Sequence, residues 1–190
     1  MQLQYRKAEQ ALEAFLTRSD RRSYRRMILS AAAMGRERGI PSDLGKRLAE
    51  AVLSAAESAD CRLAAAGISD VGDFVRGRLR RKADIITRGL LSKYKAVRIA
   101  SWIAVREGPR LCRLLLSRLE AKPINEVMVW EVLMAVDQMT DYLTSPKDRE
   151  RLVRFVKKME VQGTRSPYLA YKIDDTLYCD LHLDQPRGDK

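Results

Sequence analysis

The sequence predicts an all-α protein, and three observations carry that expectation. Apolar residues recur at three- and four-residue spacing along nearly the whole chain. Residues that start and stop helices punctuate that pattern, and strand-like alternation is confined to one short segment near the C-terminus. The 190 residues are 46% hydrophobic and 32% charged, which supplies a sizeable core and excludes a disordered chain.

Taken in order, Tyr5, Ala8, Leu12, Phe15 and Leu16 form the apolar stripe of a first helix. Asp20 can cap a second, carrying Tyr24, Ile28, Ala31 and Ala32, which stops near Gly39 ahead of Ile40-Pro41. Ser42 is read as the cap of a third, with Leu44, Leu48, Val52, Ala55 and Ala59 on one face and Gly67 just past its end. Ser69 opens a fourth segment with Val71, Phe74, Val75 and Leu79, interrupted around Gly77 and running toward Leu91. A helix over 94–107 follows. Gly108-Pro109 opens the next, with proline where no amide donor is needed, and Pro123 closes it. A long helix is expected over 124–142. Ser145-Pro146 and Ser166-Pro167 repeat one start signal, and Asp148, three residues after Ser145, adds a capping-box pattern.

The last segment reads two ways. Leu169, Ile173, Leu177 and Leu181 lie four apart, as on a helix. Leu177, Cys179, Leu181 and Leu183 alternate with polar residues, as on a strand over 176–184. A lone strand leaves its backbone groups unpaired, so a helix to about Leu181 is the expectation. The total is about eight helices, forming either a helical repeat or an irregular multi-helix bundle.

One stretch resembles a known repeat. Leu90-Leu91, four intervening residues, and then Ala96-Val97-Arg98-Ile99-Ala100-Ser101-Trp102-Ile103-Ala104 resemble the HEAT motif. In that family a helix ends in leucines, and after a short turn a second opens with Val-Arg and small residues. Leu114 to Leu119, a turn near Pro123, and Val127 to Val136 look like a second copy, with Met128 where the arginine would stand. Val153 to Met159, a turn at Gly163, and Tyr168 to Leu181 look like a third. The resemblance covers 83–181 and implies stacked helical hairpins that bind partners, usually proteins and sometimes nucleic acid, with catalysis rare. The expected organisation is one all-α domain over 1–190: basic helices over 1–82, HEAT-like hairpins over 83–181 and a polar tail over 182–190.

Charge points to the class of partner. Lys and Arg number 36 against 25 Asp and Glu, a net charge of +11, and the excess sits mainly in residues 1–95. A basic half favours acidic or phosphate-bearing partners. Arg18, Arg21, Arg22, Arg25 and Arg26 cluster at the start of the second helix, and on a helix 18, 22, 25 and 26 share a face while Tyr24 and Ile28 point elsewhere. Arg76, Arg78, Arg80, Arg81 and Lys82 form a second run, followed by Arg88, Lys93, Lys95 and Arg98. The candidate partner- or phosphate-binding set is therefore Arg18, Arg22, Arg25, Arg26, Arg76, Arg78, Arg80, Arg81, Lys82 and Arg98.

Catalytic signals are weak by comparison. His182 is the single histidine, and no GxSxG surrounds a serine. Cys179 and His182 are spaced as two zinc ligands would be, but no second pair completes a site. Asp174, Asp175, Asp180 and Asp184 form an acidic cluster without the glycine turn of a cation loop. Trp102, Trp130 and Asp137 match HEAT-like DNA glycosylases in residue type only, and core packing is the default for both tryptophans. No Walker loop or base-reading motif is present. Three sparse cysteines, no opening apolar run and no stretch long enough for a membrane span suit a reducing cytoplasm. The expectation is a non-enzymatic adaptor without metal or cofactor, engaging an acidic protein partner. The alternative is a nucleic-acid-binding protein that contacts the phosphate backbone.

Overall fold

The computed structural model describes residues 2–106, 108–161 and 167–181. Among them there are ten α-helices, one π-helical turn and no strand. Two compact units divide the chain, Met1–Arg78 and Leu79–Lys190. No helix of the described residues is long and apolar enough to cross a membrane.

The first unit holds α1 (Gln2–Arg18), α2 (Arg21–Arg38), α3 (Ser42–Ala56) and α4 (Cys61–Phe74). Ser19, at φ 51°, breaks the chain after α1, and the Asp20 carboxylate accepts from the Ser23 N–H to start α2. Gly39, at φ 82°, ends α2, a backbone conformation that costs glycine little. Helix α1 packs along α2 and α3 along α4, with α1 also on α3 and α2 also on α4. Leu12, Phe15, Met27, Leu48, Val52 and Ile68 close the core between them.

The third expected helix proves to be parts of two. Helix α3 stops at Ala56, and Ala59 lies exposed in the turn rather than on the apolar face. The Asp60 carboxylate then accepts from the N–H groups of Arg62 and Leu63 and starts a new helix. Gly67 lies inside α4, not past a helix end, and Ser69 lies inside it as well. A side chain at Gly67 would collide with the backbone of Ala55 and Ala56, so this glycine permits close approach of α3 and α4. Ser42 is the first residue of α3, and the capping position falls to Pro41, which has no side-chain bond to offer.

The second unit holds α5 (Leu79–Leu90), α6 (Lys95–Ile103), α7 (Pro109–Glu120), α8 (Glu126–Thr140), α9 (Pro146–Val161) and α10 (Pro167–Asp175), followed by the π-helical turn Thr176–Asp180. The helices stack in two rows: α5 on α7 and α7 on α9, α6 on α8 and α8 on α10. Leu90, Leu111, Leu115, Val132, Val136 and Val156 are among the fully buried side chains. The expected Ser145 cap is in place: its hydroxyl accepts from the Asp148 N–H and donates to the Asp148 carboxylate at 2.7 Å. The C-terminal segment is helical as far as Asp180, so no strand forms over its described part. Gly163, Ser166, His182, Leu183 and Asp184 lie outside the described residues.

Candidate functional site

Helix α2 has two opposed faces. Inward it buries Ser23, Tyr24, Met27, Ala31 and Met34. At 100° per residue, Arg22, Arg25, Arg26, Leu29 and Arg36 fall on the opposite side, and all five are exposed. Leu29 is 59% exposed in the middle of that face. Arg22, Arg25 and Arg26 have no ion-pair partner among the described residues. Other arginines are ion-paired: within the first unit Arg47 with Glu9 and Glu13 and Arg78 with Glu50, and within the second Arg113 with Asp148, Arg118 with Asp84 and Arg151 with Glu120.

The inward face holds α2 in a fixed rotation. The Tyr24 hydroxyl donates to the Asp70 carboxylate of α4 at 2.9 Å, and its ring meets Phe15 of α1 edge-on at 5.2 Å. Burial, and then the neighbouring Asp70 charge, push the Tyr24 phenol upward, so it stays protonated as the donor. Burial also raises the Asp70 carboxyl, against the opposing effect of the Tyr24 hydrogen bond.

The remaining sequence candidates are dispersed. Arg18 is exposed in the last turn of α1, and the break at Ser19 places it on a different helix from Arg22, Arg25 and Arg26. Arg76 and Arg78 are exposed in the segment after α4. Arg80 is exposed and Arg81 half-buried on α5, whereas Lys82 is only 1% exposed. Arg98 is buried as well. Its Nε lies 3.2 Å from Oε2 of Glu131 on α8, with the two side chains 5% and 3% exposed, and its Nη1 donates to the carbonyls of Ser92 and Lys93. Lys82 and Arg98 therefore stand inside the second unit, away from any solvent-facing arginine set. Sequence reasoning missed Leu29 and Arg36. Their signal was present in the row 22, 25, 26, 29, 36, which keeps helical spacing on the polar side of α2.

The first unit also contains a cleft of about 610 Å³ between the end of α2, the first turns of α3 and the end of α4. Lys46, Arg76 and Arg78 line it together with Asp73, and Ile40 and Phe74 contribute apolar wall.

Cys112 is fully buried, and burial pushes its thiol up to about 12, so it carries no thiolate near neutrality. Cys61 is half-buried and Cys179 exposed. Asp175 is held below the usual carboxylate range by its bond from Lys172, and Asp174 is exposed. Among the described residues, no group of three or more His, Cys, Asp or Glu is placed to hold a metal ion. Trp102 and Trp130 are each half-buried. No protein-family model, curated protein or solved structure matches the chain.

Proposed function

We propose that the protein is a non-enzymatic binding or adaptor module of the cytoplasm whose α2 face engages an acidic protein partner. One observation carries the reading. Leu29 stands exposed among Arg22, Arg25, Arg26 and Arg36, three of which have no ion pair among the described residues. An apolar centre with a charged rim suits a protein surface bearing a hydrophobic contact and carboxylates. A phosphate backbone offers nothing for a leucine to fill. Arginine's planar fork suits paired carboxylate oxygens.

A HEAT-like repeat is the architecture we propose for the second unit. The row-wise stacking of α5, α7 and α9, and of α6, α8 and α10, supports it. So does the burial of Val97 and Arg98 at the start of α6. The alternative, backbone contact with nucleic acid, draws on the exposed Arg76 of the first unit.

The test is a pull-down from nuclease-treated extract at low and physiological salt, using wild type and the Arg22→Glu/Arg25→Glu/Arg26→Glu variant. The reading expects an acidic protein that survives nuclease treatment, binds again when purified, and is lost with the triple variant. Material released by nuclease, or retained equally by the variant, contradicts it.

A further inference from the structure

The cleft of the first unit is a second, separate concentration of positive charge. Three cations line it against one carboxylate, Asp73. Arg78 is engaged by Glu50. Lys46 and Arg76 have no ion-pair partner among the described residues, and both are exposed to what enters. Cations gathered in a concavity focus their field on the space between the walls and raise the local concentration of anions there. At about 610 Å³ the cleft is a concavity of small-ligand size.

We propose that this cleft binds a small organic phosphate, its phosphate oxygens on Lys46 and Arg76 and its carbon skeleton against Ile40 and Phe74. A compact ammonium and a planar guanidinium together match a group bearing several oxygens and more than one negative charge. Ile40 and Phe74 are both half-buried, so each still has surface to cover. Covering it is the part of the interaction that a bare inorganic anion cannot supply. This site uses neither Leu29 nor the α2 arginines and stands independently of the docking face.

Calorimetric titration of the full chain with pyrophosphate and with adenosine diphosphate tests the proposal. One saturable site per chain is expected for both probes at low salt, with the nucleotide binding about tenfold or more tightly because its organic part reaches the apolar wall. Lys46→Glu and Arg76→Glu should each weaken both probes by about tenfold or more, with thermal unfolding unchanged. The Arg22→Glu/Arg25→Glu/Arg26→Glu variant should bind them as wild type does. Three results overturn the proposal: no saturable binding, equal affinity for the two probes, or the same loss in the α2 variant as in the cleft variants.

Discussion

Gly67 and the pair Arg98–Glu131 show how single residues set the packing. An ideal Cβ at Gly67 would overlap the Ala56 nitrogen, which is backbone and cannot rotate away. Gly67→Ala should therefore force α3 and α4 apart and cost about 1–3 kcal/mol or more, read as a lower denaturation midpoint. An unchanged midpoint would mean that the two helices do not approach so closely. In the second unit, Arg98 and Glu131 sit at ion-pair distance without the alignment of a hydrogen bond. Two charges removed from water tolerate the loss of one partner poorly. Glu131→Ala alone should cost about 3–5 kcal/mol, while an apolar Arg98→Met/Glu131→Leu pair should recover much of that loss. Equal destabilisation by the single and double variants would contradict a buried pair held by its own complementarity.

At the scale of elements, the start of α9 couples a cap to an ion pair. The Asp148 carboxylate accepts from the Arg113 guanidinium at 2.8 Å through Nη2 and at 3.1 and 3.2 Å through Nε, and from the Ser145 hydroxyl. Arg113 first, and then Ser145, hold its carboxyl below the ordinary range. The sign follows directly. An aspartate in the unfolded chain titrates near ~3.9, so the stabilisation is complete above that pH and is lost as pH falls through the lower folded value. Asp148→Asn should flatten the dependence of unfolding temperature on pH below about 4. A profile as steep as wild type would assign the acid sensitivity elsewhere. Helix α2 is organised differently: its contribution to the fold lies in Tyr24, Met27 and Met34, not in its arginines. Reversing Arg22, Arg25 and Arg26 should leave thermal stability within about 0.5 kcal/mol, as expected of exposed positions with no ion-pair partner among the described residues. Unfolding of that variant would make the arginines structural.

At the scale of the molecule, helical class and most helix starts were legible because they depend on local chemistry. Asp20, Pro109, Ser145 and the Ile40-Pro41 break act within a turn of chain, and spacing alone exposes them. The turn over 57–60 was not legible in the same way, because Leu44 to Ile68 keeps helical spacing across it and Asp60 is one polar residue among several. Gly67 looked like a terminus because its real reason is the backbone of another helix, a tertiary fact. Burial sorted the basic residues in the same manner. Arg22 and Arg98 are alike as letters, yet one faces solvent with no ion-pair partner among the described residues and the other is enclosed beside Glu131 on α8. Leu29 belongs to the polar side of α2 by spacing, but its exposure depends on which face the fold buries. Under the proposed reading, its exposure is what would separate a protein-docking face from a merely cationic one. The most direct measurement is the affinity of the purified acidic partner for wild type and for Leu29→Ala, with every arginine intact and at physiological salt. The account predicts a loss of about tenfold, near 1.4 kcal/mol, with nucleic-acid affinity unmoved. Undiminished partner binding by Leu29→Ala would contradict it.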